Sequence, residues 1–315
     1  MASELWQWNF VVNDLLHDQV KLKRKIWLKK GELFLEKKED KLQAFLLGND
    51  EHRFSLDEKL ASYFRFSCLV SHKAPNIKSA GGVGLKSESE FGKNTDALSL
   101  SIKSIIPKEA VCDIEKHAPK FIRFIGKLHD RYIETIASNE FIEIALDYFY
   151  DAERKFVYRD EGFISCMISM EALFNEGPSD IKYKLSHRAA FLLGLCGTDP
   201  IQAFDKLKDF YNKRSKLVHG GGELPHDPER HLASNYTRRC IIIFLILLQN
   251  PKRKKIGKKR RKNELLLEID HAMLNIEHRK QLKIEIKKGL KNFKLPVLRV
   301  FEGQGEHGHY RVTAW

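Results

Sequence analysis

The spacing of the apolar residues changes at Pro107, and this change limits the fold more than any other feature of the sequence. Between Val20 and Ile106 apolar residues tend to occupy every second position, as in strands with one buried face. After Pro107 they recur every three or four positions, as in amphipathic helices. The sequence therefore predicts an α+β fold, in which a mostly β N-terminal domain is followed by an all-α helix bundle.

The predicted N-terminal domain covers residues 1–107. Strands are expected where apolar residues alternate, including residues 64–70 and 98–102. The Gly/Ser/Lys-rich stretch between them, residues 73–96, is expected to be a long loop. Nothing in these residues names a ligand for the domain.

The second half is expected to be a bundle of helices joined by short loops. Asp199 followed by Pro200 is a helix start signal, and Gly220–Gly222 is expected to end the same helix. The predicted segments are a connecting helical segment at 108–136 that Pro119 interrupts, a helix bundle at 137–250, a basic linker at 251–262, and an amphipathic helix over 263–291 with a tail to 315.

The chain is basic, and its charge is concentrated in one segment. Lys and Arg number 55 against 42 Asp and Glu, which gives a net charge of +13. Residues 251–262 hold nine Lys/Arg and no acidic residue. Such a run neutralises phosphates when it meets a polyanion, and it is equally consistent with a solvated linker.

Cysteine usage and hydropathy indicate a cytoplasmic protein. The five cysteines form no C-x-x-C pair, and their number is odd, so neither a disulfide framework nor a zinc ribbon is expected. The longest apolar run, Cys240–Leu248, is shorter than the roughly 20 residues that a membrane span needs. We therefore expect no membrane association, no metal and no cofactor.

The end of the helix after Asp199 carries an arginine and a histidine, Arg214 and His219, separated by four residues. Arg-x4–6-His occurs three times in the sequence, so the spacing alone is not informative. The third copy differs from the others because it closes an amphipathic helix and leads into glycines. Two motifs precede it, Glu171-Ala172-Leu173-Phe174 and the segment that begins at Arg188.

These three motifs together resemble the HEPN superfamily, and most closely its ApeA-like branch. The resemblance covers roughly residues 137–250 and rests on Glu-Ala-Leu-Phe, the Arg188 helix and Arg-Ser-x-x-Val-His-Gly from Arg214 to Gly220. It implies a metal-independent endoribonuclease that works as a homodimer, with antiphage defence or a toxin system as its setting. Arg214 and His219 would be catalytic, and Ser215 would support them where the family usually has a polar residue.

The chemistry of these residue types is consistent with that expectation. Imidazole moves protons near neutral pH, and a guanidinium holds the oxygens of a pentavalent phosphorane. RNA would then be the partner of the basic run, together with a possible regulatory protein or trigger. The candidate RNA-binding residues are Lys252, Arg253, Lys254, Lys255, Lys258, Lys259, Arg260, Arg261 and Lys262.

Each of these residues also has a simpler interpretation. Arg214 and His219 would also serve as a cation and a cap at any helix C-terminus. Glu171, among apolar neighbours, needs a cationic or hydrogen-bonding partner, and Arg188 is the nearest candidate in sequence. The two form either an interhelix ion pair or a support that orients Arg214.

A non-catalytic HEPN module that binds RNA, a nucleotide or a protein partner is the alternative function.

Overall fold

The computed structural model describes most of the C-terminal half of the chain and separate segments of the rest. Two compact units divide it, one formed by residues 1–130 with 294–315 and the other by residues 131–293. The described residues are 6–13, 26–29, 33–38, 41–48, 62–63, 65–66, 68–69, 76–84, 108–154, 159–221, 223, 225–254, 261–293, 301–305 and 308–312.

The first unit contains an antiparallel sheet with the strand order β2-β3-β4-β1-β5. Alternating apolar residues put strand β3 in the sheet, where Leu35 is fully buried. A separate antiparallel pair, β6-β7, lies near the C-terminus. The strands are β1 Trp6–Asn13, β2 Ile26–Lys29, β3 Leu33–Lys38, β4 Lys41–Gly48, β5 Asn76–Gly84, β6 Phe301–Gly305 and β7 Gly308–Val312.

The predicted fold class is wrong for the N-terminal part, because the residues that the structure describes are predominantly helical and do not support a mostly β N-terminal domain. Residues 62–63, 65–66 and 68–69 are helical where a strand was predicted. The physical reason is that Tyr63, Phe66 and Leu69, all buried, recur every third residue, which is a helical spacing. Strand β5 lies inside the predicted long loop, and the predicted strand at 98–102 lies outside the described residues.

The second unit is helical, as the sequence predicts for the C-terminal part. The chain's helices are α1 Lys108–Ala137, α2 Glu140–Arg154, α3 Arg159–Phe174, α4 Ile181–Leu195, α5 Pro200–Val218, α6 Asp227–Leu248, α7 Pro251–Lys254, α8 Arg261–Leu274 and α9 Ile276–Leu290, followed by a 3₁₀ turn at Lys291–Phe293. Helix α1 runs through Pro119, where an interruption was expected.

Helix α6 is the centre of this unit. All residues from Cys240 to Leu248 are buried. The helix is long and apolar enough to cross a membrane, but 78% of its most apolar window is buried inside the protein. Such burial is typical of the core helix of a soluble protein.

The predicted helix over residues 263–291 is two helices, α8 and α9. Asn275 separates them, and its side chain accepts hydrogen bonds from the backbone N–H groups of Glu277 and His278 at 2.9 and 3.2 Å. Because an asparagine in this position caps a new helix, the chain turns there although the apolar spacing continues.

Candidate functional site

The candidate site lies at the C-terminal end of α5, whose boundaries follow from its sequence. Asp199 caps the first turn through Oδ1, which accepts from the N–H groups of Ile201 and Gln202. At the other end, Gly220 has a φ of +76°, and the N–H groups of Gly220 and Gly221 donate to Leu217 and Lys216. This is a Schellman motif, and it requires a glycine at its left-handed position.

His219 is the C-cap residue that follows α5, and its side chain is exposed. Arg214 lies in the last turn but one, and its side chain is 24% exposed. Five residues along a helix correspond to a rise of about 7.5 Å and a rotation of about 140°. The two side chains therefore leave the helix in different directions. The imidazole of His219 is exposed to solvent, whereas Arg214 lies on the side of α5 that packs against the bundle.

Arg214 is anchored by Glu171 of α3. Its Nη2 lies 3.5 Å from Oε2 of Glu171. Both Nε of Arg214 and Oε1 of Glu171 are buried and have no hydrogen-bond partner among the described residues. The pair thus holds the guanidinium by one edge and leaves hydrogen-bonding capacity on both side chains.

Burial controls the electrostatics of this pair. It raises the pKa of the Glu171 carboxyl, and the charge of Arg214 opposes that shift. Burial also raises the pKa of Tyr211, one turn before Ser215, with Glu171 adding to the shift and Arg214 opposing it. Tyr211 and Ser215 are both half-buried. Arg214, Glu171 and Tyr211 therefore form one electrostatic cluster beside Ser215.

Glu171 also lines a cleft of about 330 Å³. Lys262 enters it, donates a hydrogen bond to the carbonyl of Ala172 at 2.6 Å, and lies 5.5 Å from the ring centre of Phe141. Burial lowers the pKa of Lys262 to about 8, a shift that Glu176 opposes and Arg188 increases. The cleft is lined by Phe141, Ile144, Ile168, Glu171, Ala172, Asn175 and Lys262.

Arg188 does not pair with Glu171. It is 5% exposed and binds Asp270 through two hydrogen bonds of 2.8 and 2.6 Å, Glu176 at 3.0 Å, and the carbonyl of Phe174. These contacts join α4 to α8 and to the end of α3. Arg188 is thus an interhelix anchor, and the carboxylate that meets Arg214 is Glu171 alone among the described residues.

Part of the basic run is used inside the bundle. Arg253 is 6% exposed and binds Glu268, Glu285 and the carbonyl of Leu247. Its guanidinium therefore ties α7 to α8 and α9, as Lys262 ties α8 to α3. Arg261 begins α8 with a half-buried side chain. The side chains of Lys252 and Lys254 and all of Lys255, Lys258, Lys259 and Arg260 lie outside the described residues.

A second feature near α5 was not found by the sequence reasoning. The rings of Tyr183 and His187 on α4 stack with centres 5.4 Å apart, and Phe204 of α5 meets both edge-on. Nζ of Lys208 lies 5.0 Å from the Phe204 ring centre. The available signal was the i, i+4 spacing of Tyr183 and His187 on a predicted helix, with a lysine on each side of Tyr183.

Comparison of the chain with known protein families, with curated proteins and with solved structures found no match. Within the described ranges, no group of three or more His, Cys, Asp or Glu side chains is arranged to hold a metal ion. The residues around the end of α5 therefore provide the chemistry from which a function can be inferred.

Proposed function

We propose that this protein is a metal-independent endoribonuclease of the HEPN type, with Arg214 and His219 as its catalytic residues. One observation carries the proposal. The C-terminal end of α5 presents an exposed imidazole, and the guanidinium one turn earlier is held by Glu171 along a single edge. A proton-transferring group and an oriented cation are the two parts that metal-free RNA cleavage needs.

In the proposed reaction an imidazole removes the proton of a ribose 2′-hydroxyl, and the 2′-oxygen attacks the adjacent phosphorus. The guanidinium of Arg214 stabilises the charge of the phosphorane. The bond to the 5′-oxygen breaks, and that oxygen takes a proton from a second imidazole. The products are a 2′,3′-cyclic phosphate and a 5′-hydroxyl, so no water, metal or cofactor enters this step.

A single His219 cannot serve as base and acid in the same attack. Two copies of the α5 end, facing each other across a twofold axis, supply the pair. We therefore propose a homodimer with a composite cleft. Its setting is the cytoplasm, in antiphage defence or a toxin system, where residues 1–107 respond to a trigger or a regulatory protein.

The alternative is a HEPN module that binds RNA, a nucleotide or a protein without cutting. It is favoured by the engagement of Arg214 with Glu171, which neutralises part of the charge that a phosphate would meet. A binder keeps most of its affinity when the imidazole is removed, whereas a nuclease loses its reaction. Cleavage and RNA binding by a variant without the imidazole therefore distinguish the two proposals in one experiment.

The test is incubation of total cellular RNA in EDTA with wild type, His219→Ala and His278→Ala. His278 is an exposed helix histidine on α9 and is the matched control. We expect wild type and His278→Ala to cut equally and His219→Ala to lose at least about 100-fold in rate. No cutting by wild type together with RNA binding by His219→Ala would favour the binding module. Equal cutting by all three proteins would contradict the assigned site.

A further inference from the structure

We infer that Tyr183, His187, Phe204 and Lys208 form a stacking platform for single-stranded RNA, which leads the strand along α5 to His219. The inference rests on the proposed function and adds the substrate class that it takes. It is carried by the ring geometry, the local charge and the helical face that joins the platform to the candidate site.

The rings of the platform contact one another but remain open to solvent. Tyr183 is 56% exposed although it stacks on His187, and Phe204 meets both rings at interplanar angles of 84° and 80°. Clustered exposed rings are unfavourable in water unless a partner covers them. A nucleobase covers such rings by stacking, because every base has a π-face.

The charge around the platform has the sign that a phosphate backbone requires. Lys208 lies over the Phe204 ring, and α4 carries Lys182 and Lys184 but no acidic residue. On α5, Asp205 and Asp209 alternate with Lys206 and Lys208, so the net positive charge of this surface comes from α4. Nζ of Lys182 reaches Oδ1 of Asn212 on α5 at 3.3 Å, so the two helices share this basic surface. Lysines beside aromatic rings are the combination that binds single strands without reading their sequence.

One face of α5 connects the platform to the candidate site. Phe204, Lys208, Asn212, Ser215 and His219 follow one another at spacings of four, four, three and four residues. These spacings keep all five positions within about 80° of one another on the helix surface. The distance along the axis from Phe204 to His219 is about 22 Å. A strand stacked on the rings can therefore reach the imidazole without crossing the bundle.

The geometry favours single strands over duplexes. Bases in a duplex already stack on their neighbours and cannot lie on a protein ring, whereas unpaired bases can. The platform would also raise the local concentration of unpaired RNA at His219.

The experiment measures binding separately from cleavage by using the full chain with His219→Ala as the parent. The probe is a fluorescein-labelled oligo(U) of about 12 nucleotides, and the readout is fluorescence anisotropy. We expect Tyr183→Leu to weaken binding about tenfold and Tyr183→Trp to retain it, because tryptophan restores the stacking surface. Tyr148→Leu on α2 is the control, since Tyr148 is also an exposed tyrosine at 38%.

Two outcomes would overturn the inference. One is equal binding by the parent and Tyr183→Leu, and the other is absence of oligo(U) binding by the parent. Neither outcome decides the proposed function, because cutting of total RNA by wild type measures that separately. Loss of binding in Tyr183→Leu with an unchanged circular dichroism spectrum and unchanged binding in Tyr148→Leu would support the platform.

Discussion

Nη2 of Arg214 lies 3.5 Å from Oε2 of Glu171, and this contact joins α5 to α3 one turn before His219 ends the helix. The carboxylate holds one edge of the guanidinium, while Nε of Arg214 is buried without a hydrogen-bond partner among the described residues. The orientation of Arg214 therefore depends on a residue of another helix.

Replacing Glu171 by Gln should slow cleavage about 10–100-fold, because a neutral amide holds the guanidinium less firmly. Folding should be little affected, since burial already raises the pKa of this carboxyl and a neutral side chain suits its surroundings. The measurements are single-turnover cleavage and thermal unfolding.

Glu176→Gln is the matched control for that variant. Glu176 pairs with Arg188 and lies outside the Arg214 contact. We expect Glu176→Gln to lower the melting temperature and leave the rate per folded molecule unchanged. A Glu171→Gln protein that cuts at the wild-type rate would show that Glu171 does not orient Arg214 for cleavage.

Lys262 should make stability depend on pH in the alkaline range. Burial lowers its pKa from 10.5 to about 8, so between these values the folded protein binds fewer protons than the unfolded chain. The free energy of unfolding therefore rises with pH through this window. Below pH 8 Lys262 is charged in the folded protein, and the full destabilisation caused by burying this charge is present. Partial solvent screening reduces this cost to about 1–2 kcal/mol.

The measurement is urea unfolding of wild type and Lys262→Met at neutral and alkaline pH. As pH rises, the free energy of unfolding of wild type should increase by about 1–2 kcal/mol relative to that of Lys262→Met. Lys280→Met, which replaces an exposed lysine, should show no such movement. Parallel profiles for wild type and Lys262→Met would show that Lys262 is not buried as described.

The packing of α9 on α6 depends on a glycine. A Cβ at Gly289 would lie 2.8 Å from Cγ1 of Ile246, which is closer than carbon atoms approach. Gly289→Ala should therefore lower the free energy of unfolding by about 1–3 kcal/mol. In an Ile246→Ala background Gly289→Ala should lower the free energy of unfolding much less, because the side-chain atoms that the new Cβ would meet most closely are absent. Additive effects in this double-mutant cycle would contradict the close approach of the two helices.

A composite cleft has a characteristic response to mixed subunits. If both imidazoles of a dimer are required, wild type diluted with His219→Ala at constant total concentration should lose activity as the square of the wild-type fraction. An equal mixture would retain about one quarter of the activity after subunit exchange. Retention of about one half would mean that each chain cuts alone.

The sequence predicted α5 well because its signals are local. Asp199, Pro200 and Gly220 each act within one turn of the chain, and the helix begins and ends where they indicate. The positions of Arg214 and His219 on the helix therefore follow from the sequence alone.

Other features depended on distant residues or on competing signals. Residues 62–69 have apolar residues at spacings of both two and three, and burial of Tyr63, Phe66 and Leu69 favours the helix. The partners of Arg188 could not be read from the sequence, because Asp270 lies 82 residues away. In the sequence Arg253 belongs to a basic run that is consistent with a solvated linker. In the structure its guanidinium forms ion pairs with Glu268 and Glu285, which lie 15 and 32 residues away.

The most direct test of the account is the chemistry of the cut ends. An RNA that wild type cleaves in EDTA is compared with the same RNA carrying a 2′-deoxyribose at the cut nucleotide. We predict 2′,3′-cyclic phosphate and 5′-hydroxyl ends from the first RNA and no cut at the substituted nucleotide of the second, because the 2′-oxygen is the nucleophile. Ends with 5′-phosphate and 3′-hydroxyl, or cutting at the 2′-deoxy position, would contradict the mechanism assigned to Arg214 and His219.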